Sequence, residues 1–298
     1  MFADRLIAAT DIFGPLCVGI DPHAGRIPAI FGGDTPEGVE KWGLALVEAL
    51  AGQVGVIKPQ VAFFERHGWQ GMRALHNVAA AAREAGLLIL MDAKRGDIGS
   101  TAQGYAEAWL GESAPFAADA LTVNPYMGVD TLEPHVRLAE QNGKGVIVLA
   151  RTSNPGSADF QARSLEGAPL YERVVEALAP MIERLKGACG FSGLMLVAGA
   201  TGPEEARRLR TLAPDSLFLV PGYGAQGAGA EEAVAGFARK DNCLTGGVVS
   251  ASRSVIFPEG SGDAETVDAW QQIIVRAVKL AREDLISATG CTHKLRVT

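Results

Sequence analysis

Several features that mark other classes of protein are scarce or missing in this chain of 298 residues. The formal net charge is -7 and Lys and Arg form no dense run, which argues against nucleic acid or an anionic membrane as the main partner. No apolar stretch approaches the ~18 residues that a membrane-spanning helix requires. No Pro/Ser-rich or low-complexity tract divides the chain, so residues 1–298 are predicted to form one domain.

Cysteine is also scarce. Cys17, Cys189, Cys243 and Cys291 are widely separated and include no C-x-x-C pair. We therefore expect free thiols in a reducing compartment, with neither a disulfide framework nor a zinc site. The first residues carry an early acid, Asp4, and no long apolar segment follows, which is unlike a secretory signal. Together these features predict a cytoplasmic protein.

The sequence is rich in short apolar runs that alternate with amphipathic stretches. Hydrophobic residues make up 48% of the chain, and apolar runs without polar breaks are typical of strands buried on both faces. Eight such runs recur at fairly regular spacing, with one longer gap after the fifth. The predicted strands are Leu16–Ile20, Val54–Ile57, Leu87–Met91, Ala120–Val123, Val146–Ala150, Leu194–Ala198, Leu217–Val220 and Gly247–Val249.

Eight strand–helix units predict an α/β fold, and specifically a (β/α)8 TIM barrel, whose usual length of ~200 to 400 residues includes this chain. A doubly wound open sheet is the alternative, but eight evenly spaced strands favour closure. In such barrels the carboxyl ends of the strands form the active site. Each run here is followed by residues that a core would not choose, which predicts an enzyme: Asp21, Lys58, Asp92 with Lys94, Asn124, Arg151 with Ser153, Thr201, Gly222, and Ser250 with Arg253.

The most informative motif follows the third apolar run, where Asp92, Lys94 and Asp97 come close together in sequence. Asp92 and Lys94 lie two residues apart in an extended segment, so their side chains project to the same side. Gly96 lets the chain turn, and we expect this turn to bring Asp97 close to the first two charges. Burying two carboxylates around one ammonium is costly in desolvation. We therefore interpret the cluster as catalytic, with a structural ion-pair network as the alternative.

Two loops carry the features of a phosphate site. The seventh run is followed by a Gly-rich segment in which Gly222 and Gly224 let backbone N–H groups approach an anion. The eighth run is followed by Arg253, whose guanidinium can grip phosphate oxygens in a bidentate manner. Loops after strands seven and eight are the habitual phosphate site of this barrel. The sequence therefore predicts that the substrate carries a phosphate.

The fifth run opens the longest inter-strand segment. Its Asn-Pro-Gly-Ser sequence is turn chemistry, and a long loop at the active rim is expected to act as a lid over about residues 153–170. An ordinary surface insertion is the alternative. His23 follows the first strand end, but a lone histidine is more often structural than catalytic.

The motif Asp-x-Lys-x-x-Asp-Ile, together with a lysine that ends the second strand, resembles orotidine 5'-phosphate decarboxylase. The resemblance covers roughly Leu16 to Arg253 and is closest to a longer bacterial form, in which Lys-Arg-Gly-Asp-Ile-Gly-Ser-Thr follows the first acid. That continuation differs from the compact members of the family, so loop details transfer less well. The matching residues stand in the family's order: Asp21, Lys58, Asp92, Lys94, Asp97, Ile98, Thr101, Ser153, Gln226 and Arg253.

The resemblance implies loss of CO₂ from orotidine 5'-phosphate to give UMP in de novo pyrimidine biosynthesis, without metal, cofactor or covalent intermediate. Lys94 would stabilise the carbanion at ring carbon 6 and protonate it, while Asp92 would face the substrate carboxylate. Lys58 and Asp97 would hold Lys94 in place. By the same resemblance, Asp21, Lys58 and Thr101 would contact the ribose, Ser153 the pyrimidine edge, Gln226 and Arg253 the phosphate, and Leu149 and Val197 the departing CO₂.

The resemblance also implies a homodimer with shared active sites. In that family the second acid and the following isoleucine reach into the neighbouring subunit's site. Asp97 and Ile98 are therefore expected to act in trans.

Three other functions stay open at this stage. A magnesium-dependent sugar-phosphate decarboxylase or aldolase-like barrel enzyme shares Asp-x-Lys-x-x-Asp, but such relatives place an acid where this chain has Lys58, because the metal needs oxygen ligands. A Schiff-base aldolase would want an uncharged lysine, whereas flanking carboxylates favour the ammonium form. A non-catalytic nucleotide-phosphate binding protein would keep Arg253 and the Gly-rich loop but would not need the charged cluster.

Overall fold

A computed structural model of the chain describes residues 1–116, 118–224 and 227–291. Eight parallel strands close into a barrel, in the order β1-β2-β3-β4-β5-β8-β9-β12 with β12 beside β1, which confirms the predicted (β/α)8 fold. Each predicted apolar run overlaps one of these strands. The strands are β1 Leu16–Ile20, β2 Val56–Pro59, β3 Leu88–Arg95, β4 Ala120–Val123, β5 Gly145–Arg151, β8 Ser192–Ala198, β9 Ser216–Val220 and β12 Gly247–Ala251.

Helices cover the outside of the barrel, and two small hairpins interrupt the alternation. In the described part of the chain, no helix is both long and apolar enough to cross a membrane. The hairpins pair β6 Ser164–Leu165 with β7 Ala168–Pro169, and β10 Ala238–Lys240 with β11 Cys243–Thr245. The α-helices are α1 Phe2–Phe13, α2 Pro36–Leu50, α3 Val61–Glu65, α4 Gly68–Glu84, α5 Gly99–Leu110, α6 Glu133–Asn142, α7 Leu170–Ala177, α8 Ala179–Arg184, α9 Pro203–Leu212, α10 Ala230–Ala233, α11 Arg253–Ile256 and α12 Val267–Thr289.

Local sequence explains where the longer helices begin. Thr35 precedes α2 and its hydroxyl accepts from the backbone N–H of Gly38 at 3.0 Å, with Pro36 in the first turn. Thr266 caps α12 in the same way through the N–H of Ala269 at 3.2 Å. The outer faces of the strands and the inner faces of these helices form the larger of two apolar cores.

The second apolar core fills the barrel interior, and α1 closes its amino-terminal end. Phe2, Ala3 and Leu6 of this helix pack with inward-facing strand residues and are fully buried. A Cβ on Gly145, the first residue of β5, would lie 2.4 Å from the Phe2 ring, so this close approach requires glycine. Because α1 covers one end, only the carboxyl ends of the strands are left to form an open site.

The structure corrects the expectation of four free thiols. Cys243 on β11 and Cys291 just after α12 form a disulfide with their Cα atoms 4.9 Å apart, whereas Cys17 and Cys189 are free. The pair is 48 residues apart in sequence, and its proximity arises because α12 ends against the β10–β11 hairpin. Spacing along the chain contains no signal of that contact.

Candidate active site

A cavity of about 410 Å³ opens at the carboxyl ends of the barrel strands. Its walls come from the carboxyl-terminal parts of all eight barrel strands and from the loops that follow them. Seven of the predicted site residues line it, and so do the two residues expected to contact CO₂. These nine residues are Asp21, Lys58, Asp92, Lys94, Leu149, Ser153, Val197, Gly222 and Arg253.

An irregularity in the pairing of β3 with β4 places the catalytic candidates. Met91 pairs with Leu121 and Arg95 with Val123, so the segment Asp92–Lys94 bulges opposite the single residue Thr122. Bulges beside active sites re-aim side chains. Lys94 lies within this bulge with a φ of +47°, a left-handed conformation that is strained for a residue with a side chain. The direction of the Lys94 side chain is therefore set by the bulge and not by the alternation of side chains along a regular strand.

Asp92 is the centre of the charged cluster, whereas the sequence predicted two carboxylates around the ammonium of Lys94. Its Oδ1 lies 2.5 Å from Lys94 Nζ, and its Oδ2 lies 2.8 Å from Lys58 Nζ. Two further donors complete the set: Gln60 Nε2 at 2.9 Å from Oδ2 and Thr122 Oγ1 at 3.0 Å from Oδ1. With four donors on two oxygens, the carboxylate is held in one orientation.

The burial and charge of this cluster shift its pKa values strongly. Burial alone would raise the pKa of Asp92, but the ammonium groups of Lys58 and Lys94 outweigh it and hold that pKa well below its usual range. For Lys58, burial would lower the pKa, but the Asp92 and Asp21 carboxylates outweigh it and raise the pKa. Both residues are only 6% exposed, and their mutual attraction keeps the pair ionised at neutral pH inside the barrel.

Asp21 presents an unsatisfied acceptor at the cavity. Among the described residues, its Oδ1 is buried and has no hydrogen-bond partner. The adjacent Gly19 makes room for this arrangement, because a Cβ there would lie 2.0 Å from Ser252 Oγ and 3.2 Å from Asp21 Oδ1. A buried carboxylate oxygen without a donor fits a site for a ligand hydroxyl group.

His23 lines the cavity against an aromatic wall. Its ring packs edge-on against Phe63 with ring centroids 4.4 Å apart, and burial lowers its pKa. Its structural role stays a prediction, since the ring packs on Phe63 but also lines the cavity.

The loops predicted to bind phosphate lie on one side of the cavity. Gly222 follows β9 with a φ of +107°, which favours glycine, and Arg253 begins α11 directly after β12. The Tyr223 hydroxyl donates to Asp284 Oδ2 at 2.6 Å and fastens this loop to α12. Gly224 lies in the same loop but outside the cavity wall, and the predicted Gln226 lies outside the described residues.

Ser153 reaches the cavity because Gly199 lets its backbone approach. A Cβ on Gly199 would lie 2.9 Å from the N and Cα atoms of Ser153, so a larger residue would displace the loop. The loop continues through the 3-10 turn Pro155–Asp159 and the β6–β7 hairpin. At its base, Arg151 donates to Ser157 Oγ and pairs with Glu205 at 3.3 Å.

Besides Gly224, three predicted site residues lie away from the cavity of their own chain. Asp97 forms no ion pair with any described residue, and its Oδ1 accepts from the N–H of Ile98 at 2.8 Å. The expectation that Gly96 turns Asp97 back onto Asp92 and Lys94 within the chain is therefore wrong, because Asp97 pairs with neither lysine of the cluster and lies in the short connection between β3 and α5. Ile98 is 61% exposed, and Thr101 is exposed on the first turn of α5.

Sequence reasoning missed Gln60 and Thr122, although both contact Asp92. Gln60 stands two residues after Lys58, and strand periodicity would have placed it on the same side as that lysine. Thr122 carries no such signal, because its contact depends on the bulge in β3. Further residues at the cavity wall were also unassigned, namely Thr152, Asn154, Leu219, Tyr223, Ser250 and Ser252.

The cavity brings together the groups that a phosphorylated sugar with an anionic reacting centre would require. The ammonium of Lys94 contacts the buried carboxylate of Asp92. One oxygen of Asp21 has no hydrogen-bond donor among the described residues, and Arg253 and the Gly-rich loop lie at the side of the cavity. Within the described ranges, no group of three or more His, Cys, Asp or Glu side chains is placed to hold a metal ion. The absence of a metal in the reaction stays a prediction.

Comparisons with known proteins agree on one family. The model of the orotidine 5'-phosphate decarboxylase / HUMPS family matches residues 14–260. The orotidine 5'-phosphate decarboxylase of Rhodopirellula baltica is 37% identical over 95% of this chain and 98% of its own, and that of a Nocardioides species is 44% identical over 76% and 82%. The solved structure of Leishmania donovani OMP decarboxylase is 32% identical, with a TM-score of 0.74 over 97% of this chain and 98% of that one.

Proposed function

This chain belongs to the orotidine 5'-phosphate decarboxylase / HUMPS family. We propose that its cavity decarboxylates orotidine 5'-phosphate through the ammonium of Lys94. The reaction is decarboxylation of orotidine 5'-phosphate to UMP in pyrimidine biosynthesis, and the protein is a carbon–carbon lyase.

The chemistry needs a cation close to ring carbon 6. When CO₂ leaves, the electron pair stays in an orbital in the plane of the ring and cannot spread into the π system. A preorganised ammonium in a water-poor site can stabilise that charge and then supply the proton. Lys94 fits this role, because it lines the cavity and Asp92 holds its Nζ at 2.5 Å.

One observation carries the proposal: a single buried carboxylate, Asp92, bridges two ammonium groups in the wall of the cavity. This arrangement fixes Lys94 before substrate binds, so little reorganisation is required during the reaction. The other roles follow from placement. We propose that Asp21 and Lys58 bind ribose hydroxyls, that Ser153 reads the pyrimidine edge, and that Gly222, Arg253 and Gln226 hold the phosphate.

The family name also includes HUMPS, so a residue is needed that separates orotidine 5'-phosphate decarboxylation from the alternative functions. A magnesium-dependent sugar-phosphate enzyme would require oxygen ligands where this chain has Lys58. Lys58 is 6% exposed and its ammonium lies 2.8 Å from Asp92 Oδ2, where a divalent cation would meet a positive charge. A Schiff-base enzyme would need a neutral amine, but Lys94 contacts a carboxylate. A non-catalytic binding protein would not need the charged cluster at all.

The expected result for purified protein is full turnover of orotidine 5'-phosphate in excess EDTA and after treatment with borohydride in the presence of substrate. Loss of substrate absorbance and release of UMP should match those of the untreated protein, because neither a metal nor an imine takes part. A matched sample of a magnesium-dependent aldolase serves as the positive control for EDTA. Activity that falls with EDTA and returns with magnesium would contradict the proposal, as would borohydride inactivation that depends on substrate.

We also propose a homodimer with shared sites. Asp97 does not line the cavity of its own chain, and Ile98, Tyr126 and Met127 are 61%, 81% and 47% exposed in the segments after β3 and β4. Ile98 and Met127 line the same shallow groove on this rim. A second copy that covers these apolar side chains would place its Asp97 and Ile98 in the neighbouring cavity. Thr101, one turn further along α5, lies on the same edge.

Mixing two inactive variants tests the shared site. Lys94→Ala and Asp97→Ala proteins, mixed under conditions of subunit exchange, would form hybrids with one intact and one doubly altered site. Random reassortment makes half of the dimers hybrid, so activity should recover to about a quarter of wild type. If subunit exchange is verified and no activity returns, Asp97 does not act in trans.

We also propose that the segment 153–170 acts as a lid. The segment leaves the cavity wall at Ser153 and Asn154, and its exposed Phe160 and Leu165 are available to cover a bound substrate. A biosynthetic activity on a nucleotide supports a cytoplasmic location, whereas the Cys243–Cys291 disulfide removes the support that four free thiols were expected to give.

A further inference from the structure

Thr122 is a buried polar residue that sequence analysis assigned to no role. It lies on β4, is 1% exposed, and stands alone opposite the three-residue bulge of β3. Its neighbours Leu121 and Val123 are apolar and face the outer core, so an apolar residue would serve the packing of β4 as well. A hydroxyl at this position therefore needs an explanation beyond stability.

The hydroxyl of Thr122 connects the backbone of Lys94 to the side chain of Asp92. It accepts from the backbone N–H of Lys94 at 2.8 Å and donates to Asp92 Oδ1 at 3.0 Å. One hydroxyl can do both, because it has one proton to donate and lone pairs to accept. The same Oδ1 receives the ammonium of Lys94 at 2.5 Å, so the three groups form a closed ring of contacts.

We propose that Thr122 is a positioning residue that holds Lys94 in its left-handed conformation and thereby aims the ammonium at carbon 6. The proposal rests on the role of Lys94 given above. A residue with a φ of +47° relaxes unless its surroundings hold it, and the hydrogen bond from the Lys94 N–H to Thr122 is the contact that does so across the bulge. The second bond fixes the Asp92 oxygen on which the Lys94 ammonium rests. Through these two hydrogen bonds, Thr122 fixes both the backbone of Lys94 and the carboxylate that holds its ammonium.

The test compares Thr122→Val with Thr122→Ser. Valine keeps the size of the side chain and removes the hydroxyl, which leaves the N–H of Lys94 without its acceptor. We expect kcat to fall by about 10- to 100-fold, the effect of displacing a reacting group by about 1 Å. KM for orotidine 5'-phosphate should change by less than about threefold, because the groups proposed to bind ribose and phosphate are unaltered. Serine restores the hydroxyl and should recover most of the lost kcat.

Thr10→Val is the matched control, since Thr10 is a buried threonine on α1 at the closed end of the barrel. It should keep the wild-type kcat even if its thermal midpoint falls as much as that of Thr122→Val. A wild-type kcat in folded Thr122→Val would overturn the inference. Equal losses of kcat in Thr122→Val and Thr122→Ser would also overturn it. The inference requires the hydroxyl, which serine keeps and valine lacks. Failure of the proposed function is seen separately, as an active Lys94→Ala protein.

Discussion

Lys94→Ala is expected to fold normally and to lose more than about 10⁴-fold in kcat. Proton transfer by a placed acid typically contributes about 10²–10⁴-fold. Removal of one electrostatic donor from a preorganised site typically costs a further ~10²–10³-fold. Lys94 supplies both effects, and its side chain is 46% exposed at the rim of the barrel, so the loss should come from chemistry and not from packing.

Lys186→Ala provides the matched control for this change. Lys186 is also a partly exposed lysine in an ion pair, with its Nζ 2.7 Å from Asp215 Oδ2, but it lies outside the cavity. Its removal should leave kcat and KM at wild-type values. A loss below about tenfold in Lys94→Ala would refute the assignment of Lys94 as proton donor.

Arg253→Ala is expected to lower kcat/KM for orotidine 5'-phosphate by about 10²- to 10⁴-fold, the worth of two charge-assisted hydrogen bonds of about 1.5–3 kcal/mol each. The phosphate is remote from the bond that breaks, so its binding energy serves positioning and loop closure. The slow reaction of orotidine, which lacks the phosphate, should therefore change by less than about threefold. Rates with both substrates, measured on the same preparation, give the comparison.

Arg26→Ala is the control for loss of a cationic side chain near the site. The Arg26 guanidinium lies 5.2 Å from the Phe257 ring centroid and does not line the cavity. It should affect neither substrate. Equal losses on both substrates in Arg253→Ala would mean that Arg253 supports the structure of the site and does not read the phosphate.

The barrel and the centre of the site were predictable because they depend on local pattern. Each apolar run reports a strand buried on both faces, and eight of them leave few alternatives to a closed barrel. Asp92 and Lys94 could be placed together because they are neighbours along one strand. Lys58, Asp21 and Arg253 followed from the rule that strand ends share one rim, and the cavity contains all of them.

The remaining features depend on contacts that sequence spacing does not encode. Thr122 becomes important only because β3 bulges opposite it, and nothing in the local sequence reports that register shift. The disulfide between Cys243 and Cys291 requires knowing where α12 ends relative to a hairpin. Asp97 was expected beside Lys94 within the chain, but it does not line the cavity, and the role proposed for it requires a second subunit.

The central claim is that Lys94 exchanges a proton with carbon 6. Its most direct test is the reverse of the protonation step, in which the protein removes the carbon 6 proton of UMP. UMP incubated with the protein in D₂O should exchange its carbon 6 hydrogen for deuterium, as followed by NMR, without any decarboxylation. We expect wild-type and Lys186→Ala proteins to catalyse this exchange and Lys94→Ala to show none above the background without protein. Exchange at the wild-type rate in Lys94→Ala would contradict the claim and assign the proton to another group in the cavity.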